Sequence, residues 1–188
     1  RSWSGAILNA IDETGRLQQC LPELISSESP AGTIRPEIAD QFGLSPYVMV
    51  SSGGGDNMMA AIGTGNVSPG IVTTSLGTSG TIYSYSDKPI IDPSGELAAF
   101  CSSSGGWLPL VCTMNCTVTT EMMRGLLGAD INAFEAAVSA APRGAEGVVT
   151  LPFFNGERTP NLPRGKACIV GLDSQNTRQA NLLRSAME

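Results

Sequence analysis

Apolar residues recur at helical spacing in some stretches of this chain and gather in short β-branched or aromatic runs in others, and the two kinds of stretch alternate. Over residues 2–12, Trp3, Ile7, Leu8 and Ile11 share one helical face, which predicts a short amphipathic helix packed on a core. Residues 20–34 are turn-rich. Residues 36–44, PEIADQFGL, predict a helix that opens on Pro36 and stops at Gly43. YVMV at 47–50 reads as a buried strand running into the loop SSGGG, and DNMMAAIG as a helix closed by glycines. Ile71–Thr74 and Thr81–Tyr85 flank the turn LGTSG and predict a hairpin. Beyond it the pattern predicts a strand at WLPLVCTM, a helix ending at Gly128, a helix over INAFEAAVSAA, and strands at GVVTLPFF and KACIVGLD. A last helical segment carries Leu182, Leu183, Ala186 and Met187.

This order predicts an α/β fold with antiparallel hairpins mixed in, and a boundary near VSPG divides it into residues 1–68 and 69–188. The last helical segment has no C-cap signal and the chain opens on RSWSG, so the sequence is expected to be an internal portion of a longer protein.

Composition narrows the chemistry. A chain that is 41% hydrophobic and 15% charged is ordinary globular material, and its apolar runs are broken well before the roughly 18 residues of a membrane span. A net charge of −6 without a Lys/Arg cluster argues against nucleic acid. The five cysteines lack a compact spacing and are expected to be reduced thiols in the cytoplasm. With no histidine, Ser-His-Asp and Cys-His catalysis are excluded, and a general base must be Asp, Glu, Lys, Tyr or Cys. A tetrahedral Cys/His metal site is not offered either.

Three motifs remain as candidates for chemistry. In SSGGGDN, the glycines imply positive φ or close backbone approach, and Asp56 is either a helix N-cap or a functional carboxylate. GTSGT at 77–81 is either a plain β-turn or a nest of backbone and hydroxyl donors suited to phosphate oxygens. GERTP at 156–160 puts a carboxylate, a guanidinium and a hydroxyl on one loop, and a Glu157–Arg158 pair that fixes the loop's shape is its plain structural reading.

Taken in order, GGGDN, SLGTSG, LPFFNGERTP and GKACIVGLDSQNTRQANLLRSAME resemble the FGGY family of carbohydrate kinases along essentially the whole chain. Within that family they are most similar to the branch acting on the ketose D-xylulose. The final stretch is the most specific: Ala167, Ile169, Gly171 and Leu172, an eight-residue gap, then Asn181, Leu182, Ser185, Ala186, Met187 and Glu188.

The resemblance implies an actin-like, ribonuclease-H-like pair of lobes. This chain would supply the end of the first, sugar-binding lobe (1–68) and the first half of the second, nucleotide-binding lobe (69–188). It implies ATP and Mg²⁺, Asp56 as the base that takes a proton from the sugar hydroxyl, Asn57 on the sugar, and Gly77, Thr78, Ser79, Gly80 and Thr117 on the nucleotide. The expected partners are a small sugar and ATP, with no nucleic acid or membrane, and a homodimer as the assembly to consider. Gluconate, ribulose or glycerol are the alternative substrates, and a non-catalytic actin-like binding protein is the alternative of another class. The chain departs from the family in lacking its Asp-x-Gly-Thr hairpin and its Gly-Gly adenosine loop. It also has Cys116 and Thr117 where small residues are usual and Met122 where Trp is common.

Overall fold

The computed structural model describes residues 2–188, which form two compact units. The first runs to Met59 and takes in Ser103–Gly105; the second comprises Ala60–Ser102 and Gly106–Glu188. The chain is mixed α/β, as its patterning predicts, and the strand pairs are all antiparallel among the described residues.

In the first unit, α1 (Gly5–Ile11) is capped by the Ser4 hydroxyl, and α2 (Arg16–Cys20) follows a turn in which the Asp12 carboxylate accepts the Thr14 and Leu17 N–H groups. Strand β1 (Pro30–Thr33) pairs with β2 (Met49–Ser51) around α3 (Pro36–Phe42). Helix α3 matches its expected limits: Pro36 occupies the first turn, where its missing N–H matters least, and Gly43 closes the helix at φ 63°.

Two expectations fail here. Helix α1 buries none of its residues, with Ile7 and Ile11 61% and 69% exposed, and β2 is exposed throughout rather than buried. Both elements have the amphipathic or apolar pattern of core elements, but neither is buried among the described residues.

Helix α4 (Asp56–Gly63) starts in the first unit and continues into the second. There β3 (Val72–Leu76), β4 (Gly80–Ser84), β5 (Ala98–Cys101) and β6 (Trp107–Thr113) form a sheet in the order β3-β4-β6-β5. Alternation sends Leu108 and Leu110 of β6 inward, where they are buried, as is Tyr83 of β4. Asn66, fully buried just past α4, ties that helix to the sheet: its Nδ2 donates to Thr73 Oγ1 (3.0 Å) and the Tyr83 carbonyl (3.1 Å), and its Oδ1 accepts the Tyr85 N–H (3.0 Å).

Helices α5 (Thr117–Leu126), α6 (Ile131–Ala140) and α7 (Gln179–Met187) pack around Met123, Ala129, Val138 and Leu183. Beside them, β7 (Val149–Leu151) pairs with β8 (Cys168–Val170), and Thr150 of β7 shares a 2.7 Å hydrogen bond with Ser185 of α7.

Candidate functional site

The hairpin predicted from LGTSG is present, with Leu76 opposite Gly80 and residues 77–79 at its exposed tip. Its position is set from below. The N–H of Thr117 donates to the Gly77 carbonyl at 3.0 Å, and the N–H groups of Cys116 and Val118 donate to the Thr78 carbonyl at 3.1 and 3.5 Å. The orphan donors that open α5 are therefore used to hold the hairpin.

Gly80 permits the close approach, because a Cβ there would stand 3.0 Å from Thr113 Oγ1 and 3.4 Å from Cys116 Cβ. The N–H and hydroxyl groups of Thr78 and Ser79 make no hydrogen bond among the described residues. The five residues expected at the nucleotide, Gly77 to Gly80 and Thr117, thus lie together in the second unit.

A buried polar cluster that the sequence reading did not assign sits under the same junction. Glu157, 3% exposed, accepts the Met114 N–H at 2.5 Å, Asn115 Nδ2 at 3.0 Å and the Arg158 N–H at 2.8 Å. Asn115, also buried, donates to the Gly156 carbonyl at 2.6 Å and accepts the Asn155 N–H at 3.3 Å. Burial pushes the Glu157 carboxyl up, but these bonds together outweigh it and hold the group below the ordinary glutamate range.

The expected Glu157–Arg158 pair does not form. The carboxylate is committed to the β6–α5 junction, and the Arg158 guanidinium donates instead to Cys112 Sγ at 3.3 Å. Gly156 is required for the loop's shape: its φ is 68°, and a Cβ would collide with the Pro163 carbonyl. Nothing local in the sequence points to this cluster, because two of the three donors to Glu157, those of Met114 and Asn115, lie more than 40 residues away.

Asp56 and Asn57 belong to the first unit. The first intrahelical bond of α4 runs from the Met59 N–H to the Gly55 carbonyl, so Gly55, not Asp56, is the capping residue. Asp56 is the first full helical residue, exposed, and one of its carboxylate oxygens accepts the Asn57 N–H at 2.8 Å. Gly53 supplies the turn at φ 69°. Gly54 has a packing reason: a Cβ would lie 2.5 Å from Ser103 Oγ and 2.6 Å from Met59 Cε.

Beside α5 the second unit holds a cavity of about 480 Å³ lined by Leu76, Cys116, Thr117, Thr119, Phe134 and Ser185 among others. Thr117 stands at the N-terminal end of α5, next to the docked hairpin. Among the described residues no three His, Cys, Asp or Glu side chains are grouped to hold a metal ion, and no helix is long and apolar enough to cross a membrane.

Residues 1–63 match the N-terminal domain of the FGGY family of carbohydrate kinases. The whole chain is similar to the xylulose kinase of Haemophilus influenzae, 50% identical over 188 residues and 38% of that protein's length. It is also 40% identical to the xylulose kinase of Streptomyces rubiginosus over 168 residues, covering 89% of this chain and 32% of the relative. Among solved structures, the xylulose kinase from Bifidobacterium adolescentis matches 96% of this chain and 37% of its own, with a TM-score of 0.78 at 33% identity. The chain thus spans well under half the length of the relatives it matches.

Proposed function

Because the chain belongs to the FGGY family of carbohydrate kinases, we propose that it contributes the sugar-side base and a phosphate hairpin to an ATP-dependent sugar kinase acting on D-xylulose to give D-xylulose 5-phosphate. In this reading residues 1–68 belong to the sugar-binding lobe and residues 69–188 to the nucleotide-binding lobe. The observation that carries it is the hairpin docked by its carbonyls on the start of α5, with the donors of Thr78 and Ser79 at the exposed tip. Backbone donors positioned in this way, with the Thr78 and Ser79 hydroxyls beside them, suit the terminal phosphate oxygens of a nucleotide, and Thr117 extends the same surface.

Asp56 takes the proton of the sugar hydroxyl as that oxygen attacks the γ-phosphoryl group, and Asn57 hydrogen-bonds the sugar. A carboxylate suits this task because the hydroxyl is a poor nucleophile at neutral pH and this chain has no histidine to act as base. Magnesium would enter with the phosphates and neutralise their charge. No carboxylate of this chain is assigned to it.

The test is Asp56→Asn in the full-length protein that carries this chain. Asn keeps the shape and the capacity to bind a hydroxyl but not the capacity to accept its proton. We expect kcat to fall by about 10²–10⁴ with the sugar KM little changed. Near-normal kcat in a folded variant would remove Asp56 from the chemistry. A panel of ketoses and polyols with coupled ADP detection names the sugar, and faster turnover of gluconate, ribulose or glycerol than of D-xylulose would overturn the substrate.

A further inference from the structure

The GERTP loop is left without a task by the reading above, yet it supplies a carboxylate that is almost wholly buried. From its partners we infer that Glu157, with Asn115, is a positioning residue for the phosphate hairpin, acting through the first residues of α5; this rests on the kinase reading of that hairpin.

The linkage is continuous. Glu157 Oε1 holds the Met114 N–H and Oε2 holds Asn115 Nδ2, which fixes the two residues that leave β6. The next three residues, Cys116, Thr117 and Val118, are those whose N–H groups grip the Gly77 and Thr78 carbonyls. Asn115 closes the linkage from the other side by donating to Gly156 and accepting from Asn155, so the loop and the junction brace each other through both residues.

The choice of a carboxylate follows from the donor count. Three N–H groups converge on its two oxygens, and an acceptor-only group satisfies all of them without presenting a hydrogen of its own. A neutral amide at the same place turns one of its ends into a donor, which meets the Asn115 amide head-on.

Positioning at this level decides rate, because phosphoryl transfer depends on alignment and a displacement of about 1 Å can cost on the order of 10²-fold. In the full-length protein, Glu157→Gln is therefore expected to lower kcat by about 10- to 100-fold while leaving the sugar KM within about twofold. Deuterium exchange should rise in peptides covering 76–80 and 114–118, with exchange in α6 unchanged.

Exchange that stays at the wild-type level in 76–80 and 114–118 overturns the inference, and so does exchange that rises equally in α6, which would mean only a general loss of stability. Unaltered kcat overturns it as well. If Glu157→Gln does not fold, Asn115→Ser removes the same linkage from its other side and must give the same pattern. A wild-type protein that phosphorylates no sugar sinks the kinase reading instead, and is told apart by the exchange data, which do not depend on turnover.

Discussion

Asn66 offers the sharpest test of how the second unit is held together. Its side chain is fully buried and makes three hydrogen bonds, to Thr73 Oγ1, the Tyr83 carbonyl and the Tyr85 N–H. Asn66→Ala removes all three. At about 0.5–1.5 kcal/mol net for each bond, the loss is roughly 2–4 kcal/mol, a large share of a typical domain's stability.

Asn66→Asp separates hydrogen bonding from shape. It keeps the acceptor for Tyr85 but sets an oxygen against the Tyr83 carbonyl, in a site that excludes water. Burial and this repulsion raise the folded pKa of the new carboxyl above its unfolded value of about 3.9. The penalty is then fully present at neutral pH and is relieved as pH falls through the folded pKa, where the protonated acid can donate to Tyr83.

Urea unfolding measures both effects. The sequence has two tryptophans, and Trp107 lies in the second unit, so a Trp3→Phe background makes fluorescence report on that unit alone. A cost under about 0.5 kcal/mol for the alanine variant, with the m-value unchanged, would refute the reasoning. So would an aspartate variant whose deficit does not shrink between pH 7 and pH 5.

Two further outcomes follow from the same structure. Leu183, fully buried among Met123, Ala129 and Val138, should lose about 2–5 kcal/mol on truncation to Ala, read as a lower urea midpoint in the same background. Asp92 is held at about 2 by the Ser94 hydroxyl first and then by the Leu97, Ser94 and Glu96 N–H groups. Its depressed pKa means that its contribution is present above the ordinary aspartate value and is lost as pH falls through about 2. A carboxyl-carbon NMR titration should show this midpoint, and Ser94→Ala should raise it toward 3.8.

What could be read from the chain in advance was local. The hairpin at 76–80 and the limits of α3 follow from turn glycines, β-branched neighbours and Pro36, all within a few residues of one another. Strand β1 was read as loop because Pro30 and Gly32 dominate its four residues, and β5 went unnoticed because Ala98 and Ala99 carry little β signal; tertiary pairing with β2 and β6 makes them strands. Asp56 was offset by one position because glycine can also cap a helix, and only the Met59-to-Gly55 bond tells the two apart. The Glu157–Asn115 cluster was out of reach, since its members are adjacent in space and distant in sequence. The family resemblance carried the expectations for Asp56, Asn57 and the residues proposed at the nucleotide, which spacing by itself left open between structural and chemical roles.

The docking of Gly77 and Thr78 on α5 also orients the hairpin's peptide planes. In a trans peptide the C=O and the N–H that share a plane point in opposite directions. The Gly77 carbonyl is paired in this way with the Thr78 N–H, and the Thr78 carbonyl with the Ser79 N–H. With both carbonyls turned down onto the helix, both hydrogens are turned up and away from it. The two planes therefore stack head-to-tail on the peptide dipoles of α5 and carry its positive end outward to the tip. A substitution that flipped either plane would do more than loosen the turn. It would present a carbonyl oxygen where a hydrogen had been, and turn the surface proposed to meet phosphate oxygens into one that repels them.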